Sequence, residues 1–576
     1  MSLRNCSVLR VSFSAIALFA IAILAGCGSS SNKATAPPTG GFTNADFSGT
    51  YVFSFAGTDY SGSGSSFFAA AGTLTANGKG GSNSLTGTID LNDPELASSL
   101  DLSTYVYTSL AATGSYNVTA DGRGSGTFTV TIPNSQAVEF GFDFVLTNSS
   151  HGLITRFDDR GTGSGTLDLQ PSSVAQSALE GSYSFALNGV DNSGNSLGSV
   201  GTVTLSSSGG VTSGLQDFND GGNSGNLLAL PITGSVVVPA SGSAAGTATL
   251  TTGSELFPSL SFDVWIIDST HLKLIETDTT AVLAGDAYVS TGQSFPAGNL
   301  VYMMFGADDG GGNASDEGPL AIGGLLSASS GSITSGLQNW NDAGTPGNGA
   351  PSGSYTTSGG RTSLTLNSFF NGGWGQTSES ETGSYTFAAY PYSSGTGGTG
   401  AVLLEVDSLG GVTAGTAYLQ SSQSFASAQG YGLNLSGVNG NSEGEVDTIA
   451  EFTATSSSDI TGLYDANYSG TTVFDYNLNT NNDATYSINS NGQGTLAFPS
   501  LQNPSSDPLP ALSLTFYTVD GSNVTFIETD DDQVAVGSFQ LQNASGSSAQ
   551  AALPHFAMVQ PAAKAASAKR ALKKKQ

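Results

Sequence analysis

The sequence is poor in cysteine, histidine and charge. It holds only two cysteines in 576 residues, Cys6 and Cys27, and 10% of its residues are charged. Beyond Cys27 there is no thiol for a disulfide, a nucleophile or a thiolate metal site. The three histidines, His151, His271 and His555, cannot assemble a zinc cluster at ordinary ligand spacing. These absences exclude disulfide frameworks, thiol catalysis and cysteine-rich zinc modules.

Positive charge is scarce and lies mainly at the two ends of the chain. The formal net charge is −30; two of the 15 Lys and Arg lie in residues 1–26 and six in residues 546–576. The part between them therefore carries about −38. A field of that sign repels nucleic acid and anionic lipid, so we expect no nucleic-acid partner.

Catalytic motifs are missing as well. No G-x-S-x-G stands in a strand-turn-helix context with His and Asp in order, and the Gly-rich stretches lack the lysine and the following helix of a phosphate loop. No amphipathic helix is predicted before residue 550. We expect no catalytic residues and no enzyme activity.

The N-terminus carries the clearest motif. Arg4 and Arg10 precede an apolar run at residues 15–24 that is too short to span a bilayer as a helix, and the run ends in "LAGC" at residues 24–27. This pattern resembles a bacterial lipoprotein signal peptide with its lipobox. The resemblance implies that residues 1–26 are removed and that Cys27 is lipidated; a plain secretory signal would leave Cys27 unexplained.

The residues after Cys27 predict where the protein is carried. Residues 27–46 are rich in Gly, Ser and Pro and predict a flexible tether. In lipoproteins of two-membrane bacteria, the absence of Asp directly after the lipidated cysteine implies transport to the outer membrane. We expect a lipid-anchored envelope protein that faces either the periplasm or the outside.

The remaining chain repeats itself. "GTYVFSFAGTD" at Gly49 returns as "GSYSFALNGVD" at Gly181, and three further blocks recur in the same order. The spacing predicts four domains followed by an Ala/Lys-rich basic tail, at residues 47–170, 179–295, 299–425, 429–545 and 546–576. A repeat of this length is typical of a domain with its own core.

Each copy has the pattern of antiparallel strands. Tyr51, Phe53 and Phe55 alternate with small residues, and turns such as "ADGRG" supply the positive φ of tight hairpins. The fold class predicted is all-β, with about eight strands per copy in an up-and-down barrel or, alternatively, a β-sandwich. The opening Gly-x-Tyr strand and the meander resemble calycin-type barrels, the lipocalin and avidin class.

One aspartate recurs in the fourth block of every copy. Glutamate precedes it in three copies, but Arg156 takes that place in the first. Because a general acid/base pair needs both groups, we interpret the recurring aspartates as structural turn residues. They are Asp158, Asp278, Asp407 and Asp530.

A second recurring pattern is Asp-x-Asn, which places two oxygen ligands close together. Calcium collects such oxygens, but neither an EF-hand spacing nor a nonapeptide repeat is present. Asx residues capping turns explain the pattern without a metal. The weak calcium candidates are Asp90, Asn92, Asp217, Asn219 and Asp220; otherwise we expect no metal and no cofactor.

The sequence favours a lipid-anchored envelope protein with a non-enzymatic binding or spacing role. One alternative is a carrier that holds small apolar ligands in barrel cavities. Another is a polysaccharide-binding adhesin or hydrolase accessory protein, for which Trp265, Trp340 and Trp374 could stack on sugars. Polysaccharide or another envelope protein is the partner expected besides the membrane.

The lipid anchor gives the first prediction. Replacing Cys27 by serine removes the predicted acylated sulfur, so the Cys27→Ser protein should move from the membrane fraction to the soluble fraction, because acyl chains supply the membrane affinity. Fractionation followed by immunoblotting measures this, and Cys6→Ser is the matched control. Membrane retention of Cys27→Ser would contradict the lipobox interpretation.

Overall fold

The computed structural model describes most of the repeated part of the chain. The described residues are 41–170, 173–221, 225–239, 245–292, 294–308, 318–368, 383–394, 398–407, 411–439, 444–455, 458–479, 481–499 and 511–544. The predicted signal segment, Cys27, Trp374 and the basic tail lie outside them. Among the described helices, none has the length and apolarity needed to cross a membrane.

The first two copies each form one antiparallel sheet, here barrels 1 and 2. Barrel 1 contains β1 (Ser48–Asp59), β2 (Ser66–Asn77), β3 (Gly81–Asn92), β4 (Val106–Val118), β5 (Arg123–Thr131), β6 (Ala137–Asn148), β7 (His151–Asp158) and β8 (Gly161–Leu169). Barrel 2 contains β9 (Gly181–Asp191), β10 (Ser196–Leu205), β11 (Val211–Asp220), β12 (Gly225–Pro231), β13 (Thr233–Val237), β14 (Ala245–Thr251), β15 (Ser259–Asp268), β16 (His271–Glu276) and β17 (Ala281–Val289).

The third and fourth copies form barrels 3 and 4. Barrel 3 contains β18 (Gly298–Asp308), β19 (Gly318–Ser329), β20 (Ser332–Asp342), β21 (Thr345–Gly349), β22 (Ser352–Ser358), β23 (Arg361–Ser368), β24 (Gly383–Ser394), β25 (Gly398–Glu405) and β26 (Val412–Leu419). Barrel 4 contains β27 (Gln429–Asn439), β28 (Glu445–Ala454), β29 (Ile460–Tyr468), β30 (Thr471–Asn477), β31 (Thr485–Ile488), β32 (Gln493–Phe498), β33 (Leu512–Thr518), β34 (Asn523–Glu528) and β35 (Gln533–Leu541).

The strand order is that of a meander curled on itself. In barrel 1 the strands follow chain order and β1 pairs with β8, which closes the barrel. In barrels 2, 3 and 4 the first strand likewise pairs with both the second and the last. The predicted all-β chain of four antiparallel units is confirmed, and barrel 1 is an up-and-down barrel and not a sandwich.

Barrels 2 to 4 differ from barrel 1 by a short extra hairpin strand. In barrel 2 the end of β11 pairs with β12, whereas its beginning meets β13 through the Gly210–Ser235 bridge. The strands β21 and β30 occupy the equivalent place after β20 and β29.

A short helix in barrel 1 was not predicted from the sequence. The helix α1 (Pro94–Ser99) follows β3, and 3₁₀ turns lie at Asn44–Asp46 and Gln176–Leu179. Asp93 caps α1 by accepting a hydrogen bond from the backbone N–H of Leu96 at 2.9 Å. The Asp-Pro-Glu run is a typical helix start, because proline suits the first helical position and an N-cap aspartate satisfies a free N–H.

The barrel interiors are filled by large side chains. In barrel 1 Phe53, Phe55, Phe128 and Phe140 are almost fully buried, and the Phe128 and Phe140 ring centroids lie 5.3 Å apart. Barrel 4 contains a second ring cluster around Phe539, which contacts Tyr431, Phe452 and Phe516. These clusters come from the residues at period two that the sequence marks as buried faces.

A glycine in the last strand of every barrel allows the first strand to approach closely. A Cβ built on Gly285 would lie 1.9 Å from the carbonyl oxygen of Ala186, and one on Gly165 would lie 1.7 Å from that of Ser54. Gly415 and Gly537 meet their neighbouring strands in the same way. Any side chain at these positions would push the closing strand pair apart.

Substitution of Gly285 by alanine should therefore weaken barrel 2. We expect a loss of about 1–3 kcal/mol or more in the free energy of unfolding, because the added methyl overlaps backbone that cannot move without breaking strand pairing. A urea melt measures the change. Gly253→Ala is the control, since nothing lies within 4 Å of its Cβ position; equal midpoints for the two variants would contradict the close-approach explanation.

Candidate functional site

The four barrels contact one another in a closed cycle. In junction 1–2, β2 packs against β16 and β17; in junction 2–3, β10 packs against β24 and β25. In junction 3–4, β19 packs against β34 and β35; in junction 4–1, β28 packs against β7 and β8. Each barrel thus presents its first strands to the next barrel and its last strands to the previous one. The polar residues that recur in the four copies lie at these junctions, which form the candidate functional site.

Outward-facing apolar side chains are buried at every junction. At junction 1–2, Ala69 and Ala71 belong to one cluster with Trp265 and Ile275. The corresponding clusters join Val200 to Leu404 at junction 2–3, Ala321 to Ile527 at junction 3–4, and Ile449 to Leu153 at junction 4–1. Since burial of apolar area stabilises association, these contacts hold the barrels together as well as filling space.

One asparagine at each junction donates its side-chain amide to backbone carbonyls of the next barrel. At junction 3–4, Asn341 Nδ2 lies 3.2, 2.8 and 2.9 Å from the carbonyl oxygens of Glu528, Asp530 and Gln533. At junction 4–1, Asn467 Nδ2 donates to the carbonyls of three residues of barrel 1, namely Arg156, Asp158 and Gly161. Asn92 and Asn219 do the same toward barrels 2 and 3. We call Asn92, Asn219, Asn341 and Asn467 the junction asparagines.

The carbonyls that accept these hydrogen bonds belong to the turns that contain the recurring fourth-block aspartates, and Asp158 and Asp530 contribute their own carbonyls. Asp278 accepts hydrogen bonds from the backbone N–H of Thr280 at 2.9 Å and of Ser261 at 2.6 Å. Asp158 and Asp530 have the same pair of contacts, one within the turn and one to the adjacent strand. Asp407 accepts from the N–H of Thr386. Each aspartate thus lies in the turn that the junction asparagine of the previous barrel contacts.

In barrels 1, 2 and 4, the aspartate that begins the Asp-x-Asn pattern contacts both its own barrel and the next. Asp90 accepts a hydrogen bond from the backbone N–H of Ser109 at 2.7 Å and another from Trp265 Nε1 at 2.6 Å. Burial raises the pKa of Asp90 to about 7. Asp217 accepts from Arg361 and Tyr390 of barrel 3.

Within its own barrel, each of these aspartates accepts a hydrogen bond from a residue with an unusual backbone conformation. Ser109, Ala229 and Asp475 have φ angles of 57°, 53° and 54°, in the left-handed region that non-glycine residues rarely adopt. In each case the N–H donates to the aspartate of the Asp-x-Asn pattern. The same carboxylate therefore stabilises a bulge in its own barrel and contacts the neighbouring barrel.

Among the weak calcium candidates, four thus have protein partners across a junction, and Asp220 lies buried at the end of β11. Across the described ranges, no group of three or more His, Cys, Asp or Glu is placed to hold a metal ion. Capping of turns by these Asx residues stays the favoured interpretation and calcium the weaker alternative; a melting temperature that falls when chelator is added would support calcium binding.

The residue directly after the last strand of each barrel makes a second polar contact with the following barrel. Gln170 donates to the carbonyl of Ile266, and Gln542 donates to the carbonyls of Asp121 and Leu146 at 2.8 and 3.0 Å. Gln420 and Ser290 make the equivalent contacts at junctions 3–4 and 2–3. The recurring "LQ" that ends three of the four fourth blocks was the sequence signal for this contact.

Junction 1–2 contains a buried cluster of charged groups. Lys273 Nζ lies 3.2 Å from Asp286 Oδ1 in barrel 2 and 3.8 Å from Asp168 Oδ2 in barrel 1. His151 lies 2.8 Å from Asp168, and His271 lies 2.6 Å from Asp286. Burial acts to raise the pKa of Asp168, but His151, Lys273 and His271 together hold it well below its usual range. Lys273 was missed from the sequence, although a lysine within an otherwise apolar strand of a weakly charged chain is a signal.

The glutamates that precede the recurring aspartates are buried inside the barrels. Burial, followed by the nearby Asp278, raises the pKa of Glu276 to about 9, so it is protonated at neutral pH. Burial likewise raises the pKa of Glu528 well above its usual value. In barrel 1 Arg156 takes this position, pairs with Asp59 at 2.7 Å and stacks over the Phe68 ring. The equivalent position is therefore neutral or paired with a counter-charge.

A cavity of about 220 Å³ lies beside junction 3–4. Barrel 3 contributes Leu325 and Ser335, the following linker contributes Gln420 and Gln423, and barrel 4 contributes Asn491. It lies on the outer face of barrel 3, since Leu325 belongs to the cluster between barrels 3 and 4. The described tryptophans lie elsewhere: Trp265 is buried in junction 1–2 and Trp340 packs against the core of barrel 3.

Comparison with known proteins gives no family. No family model matches the sequence, and no curated protein matches it significantly. Among solved structures, a tryptophan-to-alanine mutant of the vaccine antigen transferrin-binding protein B from Haemophilus parasuis is 7% identical, over 69% of this chain and 84% of that chain, with a TM-score of 0.18. Transferrin-binding protein B of serogroup B Neisseria meningitidis is 10% identical, over 68% and 84%, also with a TM-score of 0.18. Similarity at this level carries no inference about function.

The junction asparagines can be tested by truncation. Asn341→Ala leaves three carbonyl oxygens at junction 3–4 without their donor, and we expect a loss of about 1–3 kcal/mol in the free energy of unfolding. Asn192→Ala, at an exposed position in a hairpin of barrel 2, is the control and should be neutral. Chemical denaturation followed by far-UV circular dichroism measures both. Equal stability of the two variants would show that the junction contact adds nothing.

Proposed function

We propose that this chain is a lipid-anchored, non-enzymatic protein of the cell envelope whose four barrels act as one rigid platform for binding or spacing. The observation that carries the proposal is the closed cycle of junctions. The anchor rests on the sequence motif ending in Cys27, and localisation at the outer membrane rests on the residues that follow it.

The junctions favour a rigid arrangement of the four barrels over one in which the barrels move independently. Tandem domains joined only by linkers move freely unless their interface is large and apolar. Here each barrel is fixed on two sides, by an apolar cluster and by side-chain hydrogen bonds to backbone groups. Such a body holds the loops at the barrel ends at constant distances from one another, which suits a partner that spans more than one barrel.

The filled interiors argue against the carrier alternative. A pocket for a small apolar ligand needs a few hundred Å³ of enclosed apolar space. In barrels 1 and 4 the interior is occupied by contacting phenylalanine and tyrosine rings. An apolar ligand would have to displace these side chains.

The partner that this surface suits is a polysaccharide or another envelope protein. Because only 10% of the residues are charged, a surface rich in hydroxyl and amide side chains is expected, and acids exceed bases in the chain by 45 to 15. Such a surface offers hydrogen bonds to sugars or to a basic protein. Trp265 is not available for stacking on a sugar, because junction 1–2 buries it.

The platform can be tested with the Cys27→Ser chain in solution. Small-angle X-ray scattering should give one compact particle, and the Asn92→Ala/Asn467→Ala double variant should have a larger radius of gyration, because it weakens two junctions on opposite sides of barrel 1. Asn192→Ala should match the parent. A profile typical of freely jointed domains in the parent chain would contradict the proposal.

Ligand tests on the same chain separate the alternatives. We expect capture of a glycan on an array or of a protein from envelope extracts, and no saturable uptake of a fluorescent fatty acid. Saturable uptake at one or more sites per chain would favour the carrier.

A further inference from the structure

We propose that junction 4–1 is a proton-dependent closure: a pair of buried carboxyl groups, Glu445 and Asp447, keeps barrel 4 on barrel 1 while the pair holds a proton, and the junction opens when that proton is lost. The inference goes beyond the proposed function, since a platform could be permanently closed. Its basis is a difference between this junction and the other three.

The carboxyl pair occupies positions that are uncharged in the other barrels. In barrel 4, Asp447 lies directly opposite the junction asparagine on the neighbouring strand. The residues that lie opposite the junction asparagines of barrels 1, 2 and 3 are Ala69, Gly198 and Ala321. Two residues earlier, Glu445 aligns with Phe67, Ser196 and Pro319. The sequence therefore places two acids in the junction that joins the last barrel to the first, where the other three copies have small or apolar side chains.

Within the part of the chain that the structure describes, the pair is buried against hydroxyl groups and not against a base. Glu445 is 1% exposed and Asp447 is 0% exposed. Asp447 accepts hydrogen bonds from Thr162 and Ser164 of barrel 1, both at 2.7 Å, and Glu445 accepts one from Thr58. Among the described residues, the second oxygen of Glu445 is buried without a hydrogen-bond partner. Two adjacent carboxylates for which the described part of the chain provides no counter-ion are costly to bury, so one of them holds a proton.

The ionisable groups around the pair do not neutralise it. Directly after β1, Tyr60 accepts a hydrogen bond from the backbone N–H of Glu445, and its own pKa is raised to about 12 by burial and by Glu445. On β7, Arg156 is turned into barrel 1 toward Asp59 and Asp158. At the far end of β7 and β8, His151 and Asp168 pair with each other.

The remainder of junction 4–1 is also rich in acids. Arg123 of barrel 1 pairs with Asp121 of its own barrel and with two acids of barrel 4. Glu451 on β28 faces this group, and burial, together with Asp121, raises its pKa to about 8. The acids around Arg123 are Asp121, Asp143, Glu451, Asp465 and Asp475. Deprotonation therefore adds negative charge to a junction that already has an excess of it.

These groups set the direction of the pH dependence. Burial and Asp447 raise the pKa of Glu445 well above its ordinary value of 4.5, and burial also raises that of Asp447. The closed junction thus binds more protons than an opened, hydrated one. The closed junction is therefore most stable below about pH 4.5. As the pH rises from there toward the pKa of the closed state, the equilibrium constant for closure falls by up to about tenfold per pH unit for each proton released.

Hydrogen exchange measured from pH 6 to pH 10 on the full chain tests the proposal, after correction for the intrinsic pH dependence of exchange. We expect amides of β7, β8, β27 and β28 to lose at least tenfold in protection over this range, while amides at junction 2–3 keep theirs. In the Glu445→Gln/Asp447→Asn variant, the protection of these amides should not fall over this pH range. The exposed acids Glu139 and Glu180, replaced together by glutamine, provide the matched control and should behave as the parent does.

If the neutral variant, Glu445→Gln/Asp447→Asn, does not fold, a disulfide across junction 4–1 provides a second test. A Cβ built on Gly432 lies 3.0 Å from both γ carbons of Val145, so Val145→Cys/Gly432→Cys should bridge the two barrels in a body without other thiols. The oxidised variant should stay protected at high pH and the reduced variant should open.

Three outcomes would overturn the proposal. One is an unchanged pH profile in the neutral variant. Another is simultaneous loss of protection at all junctions, which would indicate global unfolding. The third is recovery of protection at high pH on adding calcium, reversed by chelator, which would mean that the pair binds a metal ion and not a proton.

Discussion

The hydrogen bond from a junction asparagine to the turn of the next barrel is the contact on which the arrangement depends. A turn at the end of a hairpin leaves carbonyl oxygens that the sheet cannot satisfy. Burying them against another domain is costly unless a donor is supplied. The asparagine supplies that donor, and because every barrel carries both the asparagine and the turn, the same contact is repeated until the fourth barrel meets the first.

This repetition explains why each copy keeps two polar patterns that seem unrelated in sequence. The fourth-block aspartate organises the turn within its own barrel, and the asparagine of the preceding barrel contacts the carbonyls on either side of it. In three of the four copies, the first aspartate of Asp-x-Asn stabilises a left-handed bulge and reaches across the same junction; Asn339 takes this place in the third copy. Residues that recur in all four copies therefore serve the assembly of the barrels as much as the fold of each one.

Strands, turns and buried strand faces could be predicted from the sequence, since alternation such as that at Tyr51, Phe53 and Phe55 reports burial directly, whereas the filling of the barrel interiors could not. The eight strands predicted for the first copy correspond to β1 to β8. The junctions could not be predicted in the same way: Asn92 recurs in every copy, but recurrence does not reveal that its acceptors lie 184 and 189 residues away. Glu445 and Asp447 were missed because they break the repeat instead of following it. The short α1 was missed because a six-residue helix has no apolar periodicity.

The equivalence of the four junctions has a consequence for the origin of the chain. One repeat alone contains a complete set of complementary surfaces, with the donor on one flank and the acceptor on the other. Four unconnected copies of an ancestral single-barrel subunit could satisfy each other around a rotation axis without any linker. The present chain has the organisation expected of such a homotetramer with its subunits joined end to end, and its junction between the last and first barrels differs from the other three in its carboxyl pair.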